Sequence, residues 1–292
     1  GVLKEVPKKE FVYNGTKRAR RDEKIFADKT IDRVKTIWPF SQSADKIVIS
    51  REGTAWHLLA EVSAEEFLQA DEWEECRRAL AAGGLMIPCE KDADSLICGA
   101  QNGDIVRLPA DKLCAWQGQR QVVRIGEAPL AAACFCKEAD DILLISEKGQ
   151  ALRTHVSYLY KRVDIGGGLT KGMQMKKNTD DRLCCCLVYR PKRSLTAVSQ
   201  QRKLLVLRVD SEEKAQLRAQ GHVGEGVCLV HVEGSDRLAE VLYTDQAVLL
   251  LSDSGYAQCR DVSVLREKGR RAKGIEGMKR GQIIRAVCAK VK

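Results

Sequence analysis

Residues 142–155, ILLISEKGQALRTH, decide the fold. They run as an apolar strand, a turn on Glu147-Lys148-Gly149, and a second strand carrying Arg153. The same shape returns as KIVISREGTAWHL (46–58), LICGAQNGDIVRL (96–108), LTAVSQQRKLLVL (195–207) and VLLLSDSGYAQCR (248–260), and a truncated copy, GVLKEV, opens the chain. The turn positions Gly1, Gly53, Gly103, Gly149, Arg202 and Gly255 stand 52, 50, 46, 53 and 53 residues apart. A period of roughly 40–50 residues marks a propeller-type array in which each repeat is one small sheet.

Working outward, a second kind of apolar strand stands before each hairpin: DRVKTIW, LAAACFC, LCCCLVY and LAEVLYT. After each hairpin comes a polar, often basic loop, then a Gly-led strand beginning at Gly172, Gly226 or Gly274. Four short strands per repeat, rich in Val, Ile and Leu and bounded by Gly, Asp and Ser turns, predict an all-β disc of six four-stranded blades. The expected blades are 1–44, 45–94, 95–138, 139–192, 193–244 and 245–292 of a single domain. IIRAVCA (283–289) has no hairpin after it and Gly1 has no strand before it. The C-terminal strand is therefore expected to pair beside the first blade and close the ring, removing sheet edges. The missing strand before Gly1 suggests a chain cut from something longer. One repeat departs from the pattern. SAEEFLQADEWEECRRALAAG (63–83) predicts a helical insert in the second blade, N-capped by Ser63 with Glu66 completing a capping box and stopped at Gly83. Phe67, Leu68, Trp73, Cys76 and Leu80 form its apolar stripe.

The composition, 44% hydrophobic over 292 residues, supports a sizeable core. No apolar run is long enough for a bilayer and no signal-peptide pattern opens the chain, so a soluble, non-exported protein is expected. The twelve cysteines include no Cys-x-x-Cys. Most sit in apolar strands, where cysteine acts as a small buried hydrophobe in a reducing compartment. The four histidines, His57, His155, His222 and His231, lack metal-ligand spacing. The glycine clusters at 166–168 and 221–226 lack the strand-to-helix setting of a nucleotide loop. No catalytic constellation emerges.

Net charge is +9 and unevenly spread. Counted as Lys and Arg less Asp and Glu, the successive fifties carry +5, −7, −1, +7 and −2, and residues 251–292 carry +7. Cations recur in the post-hairpin loops: Lys17, Arg18, Arg20 and Arg21 in the first repeat; Lys161, Arg162 and Lys171 in the fourth, extended by Arg190, Lys192 and Arg193; and Arg266, Lys268, Arg270, Arg271 and Lys273 in the last. A cluster of this kind is often just a solvated face. Its recurrence at one position of a repeat points instead to a phosphate-binding edge, where Lys and Arg release counterions and glycines let backbone N–H groups approach. In a closed ring the sixth and first blades are neighbours, so DNA is expected on that arc, with blade four a further contact and the acidic blade two avoided. Aromatics are only 5%, which disfavours single-strand stacking.

The hairpin pattern apolar-apolar-x-Ser-x-x-Gly-x-x-x-Arg, followed by a basic loop and a Gly-led strand, resembles the C-terminal domain of bacterial type IIA topoisomerase A subunits, those of gyrase and topoisomerase IV. Residues 140–175 and 247–284 carry the resemblance best, and it covers nearly the whole chain as six repeats. It implies a β-pinwheel whose rim binds and bends double-stranded DNA, without catalysis or cofactor of its own. Strand cleavage, ATP and Mg2+ would then belong elsewhere in the A subunit or to the ATPase B subunit. It also implies a cytoplasmic, nucleoid-associated enzyme and a monomeric isolated domain. Gyrase A carries a basic box, approximately Gln-Arg-Arg-Gly-Gly-Lys-Gly, for chiral wrapping. Here the first repeat offers Asn14-Gly15-Thr16-Lys17-Arg18-Ala19-Arg20-Arg21, and the last Glu267-Lys268-Gly269-Arg270-Arg271-Ala272-Lys273-Gly274. That degraded box is more similar to topoisomerase IV. The rival class is a protein-interaction propeller docking through the acidic insert near Trp73.

Overall fold

The computed structural model describes residues 23–24, 38, 40, 43–159, 162–176, 179–208, 217–221, 223–244 and 246–289. They form five four-stranded antiparallel sheets. Blade A orders Leu85–Pro88, Lys46–Ile49, Thr54–Leu58 and Gln119–Gln121. Blade B orders Leu130–Cys136, Ser95–Ala100, Asp104–Pro109 and Thr170–Lys171, and blade C orders Leu183–Val188, Asp141–Ser146, Gln150–His155 and Val227–Cys228. Blade D orders Leu238–Tyr243, Leu195–Ser199, Lys203–Leu207 and Ile275–Glu276. Blade E orders Ile283–Ala289, Ala247–Ser252, Tyr256–Asp261 and Glu23–Lys24. The architecture is all-β and propeller-like with five blades among the described residues, where six were expected. The hairpin of the first repeat lies outside the described residues.

The strands are apolar on both faces because blades B, C and D are each sandwiched between two others and blade A lies between blade B and the insert. Ile47 and Ile49 of blade A pack with Leu96, Cys98 and Phe135 of blade B. Ile97 and Ile105 of B pack with Ile142, Leu144 and Leu152 of C, while Leu143 and Ile145 face the other way onto Leu195, Leu205 and Val241 of D. Val198 and Leu204 of D meet Val248 and Leu250 of E. Neighbouring residues of one strand thus serve different layers, as the two-residue period of a strand requires. Each fully buried Leu or Ile contributes about 2 kcal/mol over exposure.

One expectation about strand ownership is corrected. The strand standing before each hairpin pairs with the hairpin behind it, inside the expected bounds: Leu96 lies opposite Phe135, and Leu144 opposite Cys186. The Gly-led segment instead leaves its expected blade and completes the sheet of the preceding repeat, as when Thr170 pairs with Ile105 and Val227 with Ala151. The cause sits at the turn. The N–H of Val123 donates to Gly53 O (3.1 Å), that of Met173 to Gly103 O (2.9 Å), that of Leu229 to Gly149 O (2.8 Å) and that of Gly277 to Arg202 O (2.7 Å). The turn is therefore the docking point for the next repeat, and a side chain at Gly103 would collide with Met173 O. The turn serine pins the hairpin from inside. Ser146 Oγ accepts from Gln150 N–H (3.2 Å), and Ser50, Ser199 and Ser252 accept likewise from Thr54, Lys203 and Tyr256 (3.2, 3.1 and 3.1 Å).

The same exchange changes how the array closes. Ile283–Ala289 pairs with Ala247–Ser252 inside blade E, whereas Glu23–Lys24 supplies that blade's remaining strand by pairing with Ala257 and Tyr256. The N-terminal segment thus reaches the last hairpin, where the C-terminal strand had been expected to reach the first blade.

The insert in the second repeat is two helices, α1 (Ala64–Gln69) and α2 (Glu74–Ala81), separated by a single 3-10 turn over Asp71–Trp73. Ser63 and Glu66 form the expected capping box. The single helix is broken at Ala70, whose backbone is extended (φ −70°, ψ 135°). In a straight helix Phe67 and Leu80 would lie about 20 Å apart. The break folds both onto Trp56 and Leu58 of blade A. The Arg77 guanidinium secures it by donating to the carbonyls of Phe67 and Ala70, 2.7 Å each. A short helix, α3 (Ala110–Cys114), continues the blade B hairpin. No helix among the described residues is long and apolar enough to cross a membrane.

Candidate nucleic-acid interface

Every hairpin has a turn end and an open end, and the open ends are joined by short linkers between blades. Residues 90–94 (EKDAD) lead from A to B and 137–140 (KEAD) from B to C, and both carry more acid than base. The linker from C to D is Arg190-Pro191-Lys192-Arg193-Ser194. Among these three junctions the last is the cationic one.

Blade D fixes this linker in place. Leu195 pairs with Leu207 and with Tyr243, so the linker enters at the open end. The Arg190 N–H donates to Tyr243 Oη (2.9 Å), and burial pushes that phenol up to about 12, keeping it neutral. The Arg193 guanidinium lies 5.7 Å from the Tyr243 ring centroid, a cation–π contact of about 0.5–1 kcal/mol at an exposed site. Lys192 occupies the left-handed region (φ 63°) and its side chain is exposed.

Strand exchange then brings in the loop of the last repeat. Lys268 N–H donates to Val206 O (2.9 Å) and Arg208 N–H to Lys268 O (3.1 Å). Glu267 accepts from Ser194 Oγ and pairs with Arg208 at 3.7 Å. Arg190, Lys192, Arg193, Arg208, Arg266 and Lys268 are thereby gathered at the open end of one blade, with Glu267 among them. The expectation that the fourth repeat's cations stand apart from those of the last is corrected for Arg190, Lys192 and Arg193. The reason is that the last repeat's loop rides on the preceding blade. Arg208 escaped the sequence reading. Its signal was its register, six residues past the turn position Arg202, which puts it at the open end.

The other predicted cations go elsewhere. Arg271 (φ 63°) donates its N–H to Leu229 O (3.1 Å), and the Lys273 ammonium pairs with Glu233 at 2.6 Å, so this part of the loop lies along the Gly-led segment of the fifth repeat. The hydrogen-bonded pairing holds Lys273 above and Glu233 below their ordinary ranges. Arg270 stands half-buried in the same loop. Lys171 pairs with Asp104 at 2.7 Å on blade B. Arg162 donates to Asp94 O (3.2 Å) and lines a cleft of about 420 Å³ with Asp94, Arg107, Glu138, Ser157 and Leu159. Arg107 in that cleft is buried and neutralised by Glu138, so the cleft is of mixed charge. Lys17, Arg18, Arg20, Arg21 and Lys161 lie outside the described residues. On blade A the insert presents exposed Glu65, Glu66, Asp71, Glu72, Glu74 and Glu75, opposite in sign to the blade D cluster.

Two aspartates were also missed. Asp181 accepts from Ser146 Oγ (2.7 Å) and from the N–H groups of Lys148 and Arg182 (2.9 Å each). Asp236 accepts from the N–H groups of Gln201 (2.9 Å) and Arg237 (2.8 Å). The repeated Asp-Arg-Leu at 181–183 and 236–238 was the available signal. Arg237 is itself clamped by Glu147 and Asp180, which commits it to the frame.

No family model matches the chain. It is 26% identical over 203 residues to the gyrase A polypeptide (DNA gyrase) of Mycolicibacterium smegmatis, a match covering 66% of this chain and 23% of that protein. The chain thus spans about a quarter of the curated relative's length. Among solved structures, a DNA gyrase A C-terminal domain superposes with TM-score 0.75 at 15% identity, covering 96% of this chain and 93% of that one. The C-terminal domain of DNA topoisomerase IV follows at TM-score 0.66 and 12% identity, covering 90% and 84%. The E. coli ParC C-terminal domain gives 0.55 at 16% identity, covering 83% and 97%. The blades, their exchanged strands and these superpositions together show that the chain has the fold of the C-terminal domains of gyrase A and topoisomerase IV.

Proposed function

We propose that this chain is the non-catalytic, DNA-bending C-terminal domain of a bacterial type IIA topoisomerase A subunit of the topoisomerase IV kind. In this reading it is a six-bladed β-pinwheel, one blade more than the five described. It binds duplex DNA without sequence preference and presents a segment for strand passage. Its partners in the cytoplasm are the ATPase B subunit together with the rest of the A subunit. ATP and Mg2+ act elsewhere in that enzyme.

The observation that carries the reading is the gathering of Arg190, Lys192, Arg193, Arg208 and Lys268 at one open end while the corresponding linkers of other blades are acidic. Cations gathered in one sector of the described residues suit bending, since a full wrap needs phosphate neutralisation around the rim. With about five phosphate contacts, log affinity should fall with log salt at a slope of about −4.5, roughly 500-fold between 50 and 200 mM. A salt titration of duplex binding tests this, and affinity independent of salt sinks it.

A second reading, gyrase-type chiral wrapping, is favoured by the 26% identity to a gyrase A polypeptide. Ligation of nicked plasmid in the presence of the chain separates the two. A positive linking-number shift supports wrapping, and binding without a shift supports bending alone.

A further inference from the structure

Among the described residues the large apolar side chains left exposed are Tyr158 (58%), Val223 (42%), Val264 (75%) and Ile275 (44%). The two most exposed occupy one position of the repeat. Tyr158 is nine residues past the turn glycine Gly149, and Val264 is nine past Gly255. The equivalent residue of blade A is Val62, 7% exposed and packed with the insert, and that of blade B is Lys112, paired with Asp164 at 2.5 Å. The position on blade D, Ser211, lies outside the described residues. The exposed apolar residue therefore appears on the two blades that flank blade D, and is withdrawn or replaced on the blades with acidic linkers.

Register places both on the face that carries the cationic linker. Asp141 pairs with His155, and the 3-10 turn Val156–Tyr158 follows directly. Tyr189 N–H donates to Asp141 O (2.7 Å), so the Arg190 linker leaves from the same open end of blade C. On blade E, Ala247 pairs with Asp261, and Val262 N–H donates to Gln246 O (2.8 Å). That turn lifts Val264 beside the D-to-E linker. In chain order along one face stand an apolar stud, a cluster of cations and a second apolar stud.

We propose that Tyr158 and Val264 are apolar wedges that press into the minor groove of a duplex held over the cations of blade D. This proposal rests on the DNA-binding reading above. An apolar side chain thrust against a base step partly unstacks it and bends the helix toward the major groove, while cations between two such points hold the phosphates of the intervening turn. The bend is thereby localised at two steps. Tyr158, the larger and already braced by His155 at 5.6 Å between ring centroids, makes the deeper of the two insertions.

The test uses the 292-residue chain and an A·T-rich duplex carrying 2-aminopurine at successive steps, with end-to-end energy transfer reporting the bend. Wild-type chain should raise 2-aminopurine emission roughly two- to threefold at two separated steps, as unstacking requires. Tyr158→Ser with Val264→Ser should abolish both rises, lengthen the end-to-end distance and weaken affinity by roughly tenfold, the loss of two apolar contacts. Tyr158→Phe should keep its rise, a rescue expected of a wedge and not of a hydroxyl contact. The proposal is overturned if the double serine variant keeps both rises, or if wild-type chain binds the duplex with no rise at any step. Absence of any wild-type binding would instead overturn the DNA reading itself, and it is seen in the affinity measurement before a variant is made.

Discussion

Replacing Gly103 with alanine should cost far more than replacing Gly118, although both residues have nearly the same positive φ. Gly103 has φ +85° and Gly118 φ +87°, so alanine pays a left-handed penalty of about 1–2 kcal/mol at either site. Part of this is returned, about 0.4–1 kcal/mol, because alanine restricts the unfolded chain. At Gly118 nothing lies within 4 Å of the added carbon, so the net loss should stay near 1 kcal/mol. At Gly103 the carbon would sit 2.0 Å from Met173 O. The exchanged strand must retreat, breaking the 2.9 Å hydrogen bond from Met173 N–H to Gly103 O. That bond accounts for about 1 kcal/mol net. Met173 is only 1% exposed in the layer between blades B and C, and loosening it adds about 2 kcal/mol. The total is about 4 kcal/mol, a fall in melting temperature of roughly 10 °C against about 2 °C for Gly118→Ala, at the scaling for chains of this size. Thermal denaturation by circular dichroism reads the difference, and amide exchange should quicken at Met173 in the first variant alone. Equal losses for the two variants would refute the claim that the turn glycine is the docking point of the next repeat.

Asp181→Ala should destabilise by about 3 kcal/mol, because Ser146 Oγ and two buried-side N–H donors lose one common acceptor, and urea denaturation checks it. Glu240 is held above the ordinary glutamate range by burial, opposed by Arg285 at 3.1 Å. Its stabilising contribution is therefore full below that range and lost as pH rises through the elevated value. Arg285→Met removes the opposing charge and should cost about 2 kcal/mol near pH 8 and much less near pH 5, the lower end for a broken pair because Arg285 is a third exposed. Melts across that range decide, and an equal loss at both pH values would count against it. Arg193→Glu with Lys268→Glu should flatten the salt slope of duplex binding by about two contacts or more, whereas Glu65→Lys on the insert should not weaken binding.

The repeat was legible because its determinants are local. A turn serine that accepts from the residue four positions on, and a glycine three positions on, recur along one strand pair and show in the sequence as a period. The helical insert was legible for the same reason, since Ser63 and Glu66 cap each other over three residues. Its break at Ala70 was not, because it is set by Phe67 and Leu80 sharing a surface on blade A. Ownership of the Gly-led strand was hidden by its length. Thr170–Lys171, Val227–Cys228 and Ile275–Glu276 are two residues each, too short for a period to tell which hairpin each one joins.

That one undetermined fact moves the candidate site. If the post-hairpin loop stayed on its own blade, the cations at 266–273 would belong to the end of the array, next to the first repeat. Because Gly277 N–H reaches back to Arg202 O at 2.7 Å and Lys268 N–H to Val206 O, Arg266 and Lys268 lie one blade earlier, where the Arg190–Arg193 linker already stands, while Arg271 and Lys273 follow the Gly-led segment of the fifth repeat. The rule applies to acid as well as base: Asp164 rides back to Lys112 and Lys171 to Asp104, which neutralises the blade B loop within the frame. The same displacement therefore concentrates charge at blade D and cancels it at blade B. A charge map drawn along the sequence cannot distinguish the two, while a map shifted by one blade does. The electrostatics of this disc is thus a property of the strand exchange, and any substitution that unseats an exchanged strand, Gly103→Ala on one blade or a bulky residue at Gly277 on another, should alter the surface as well as the stability.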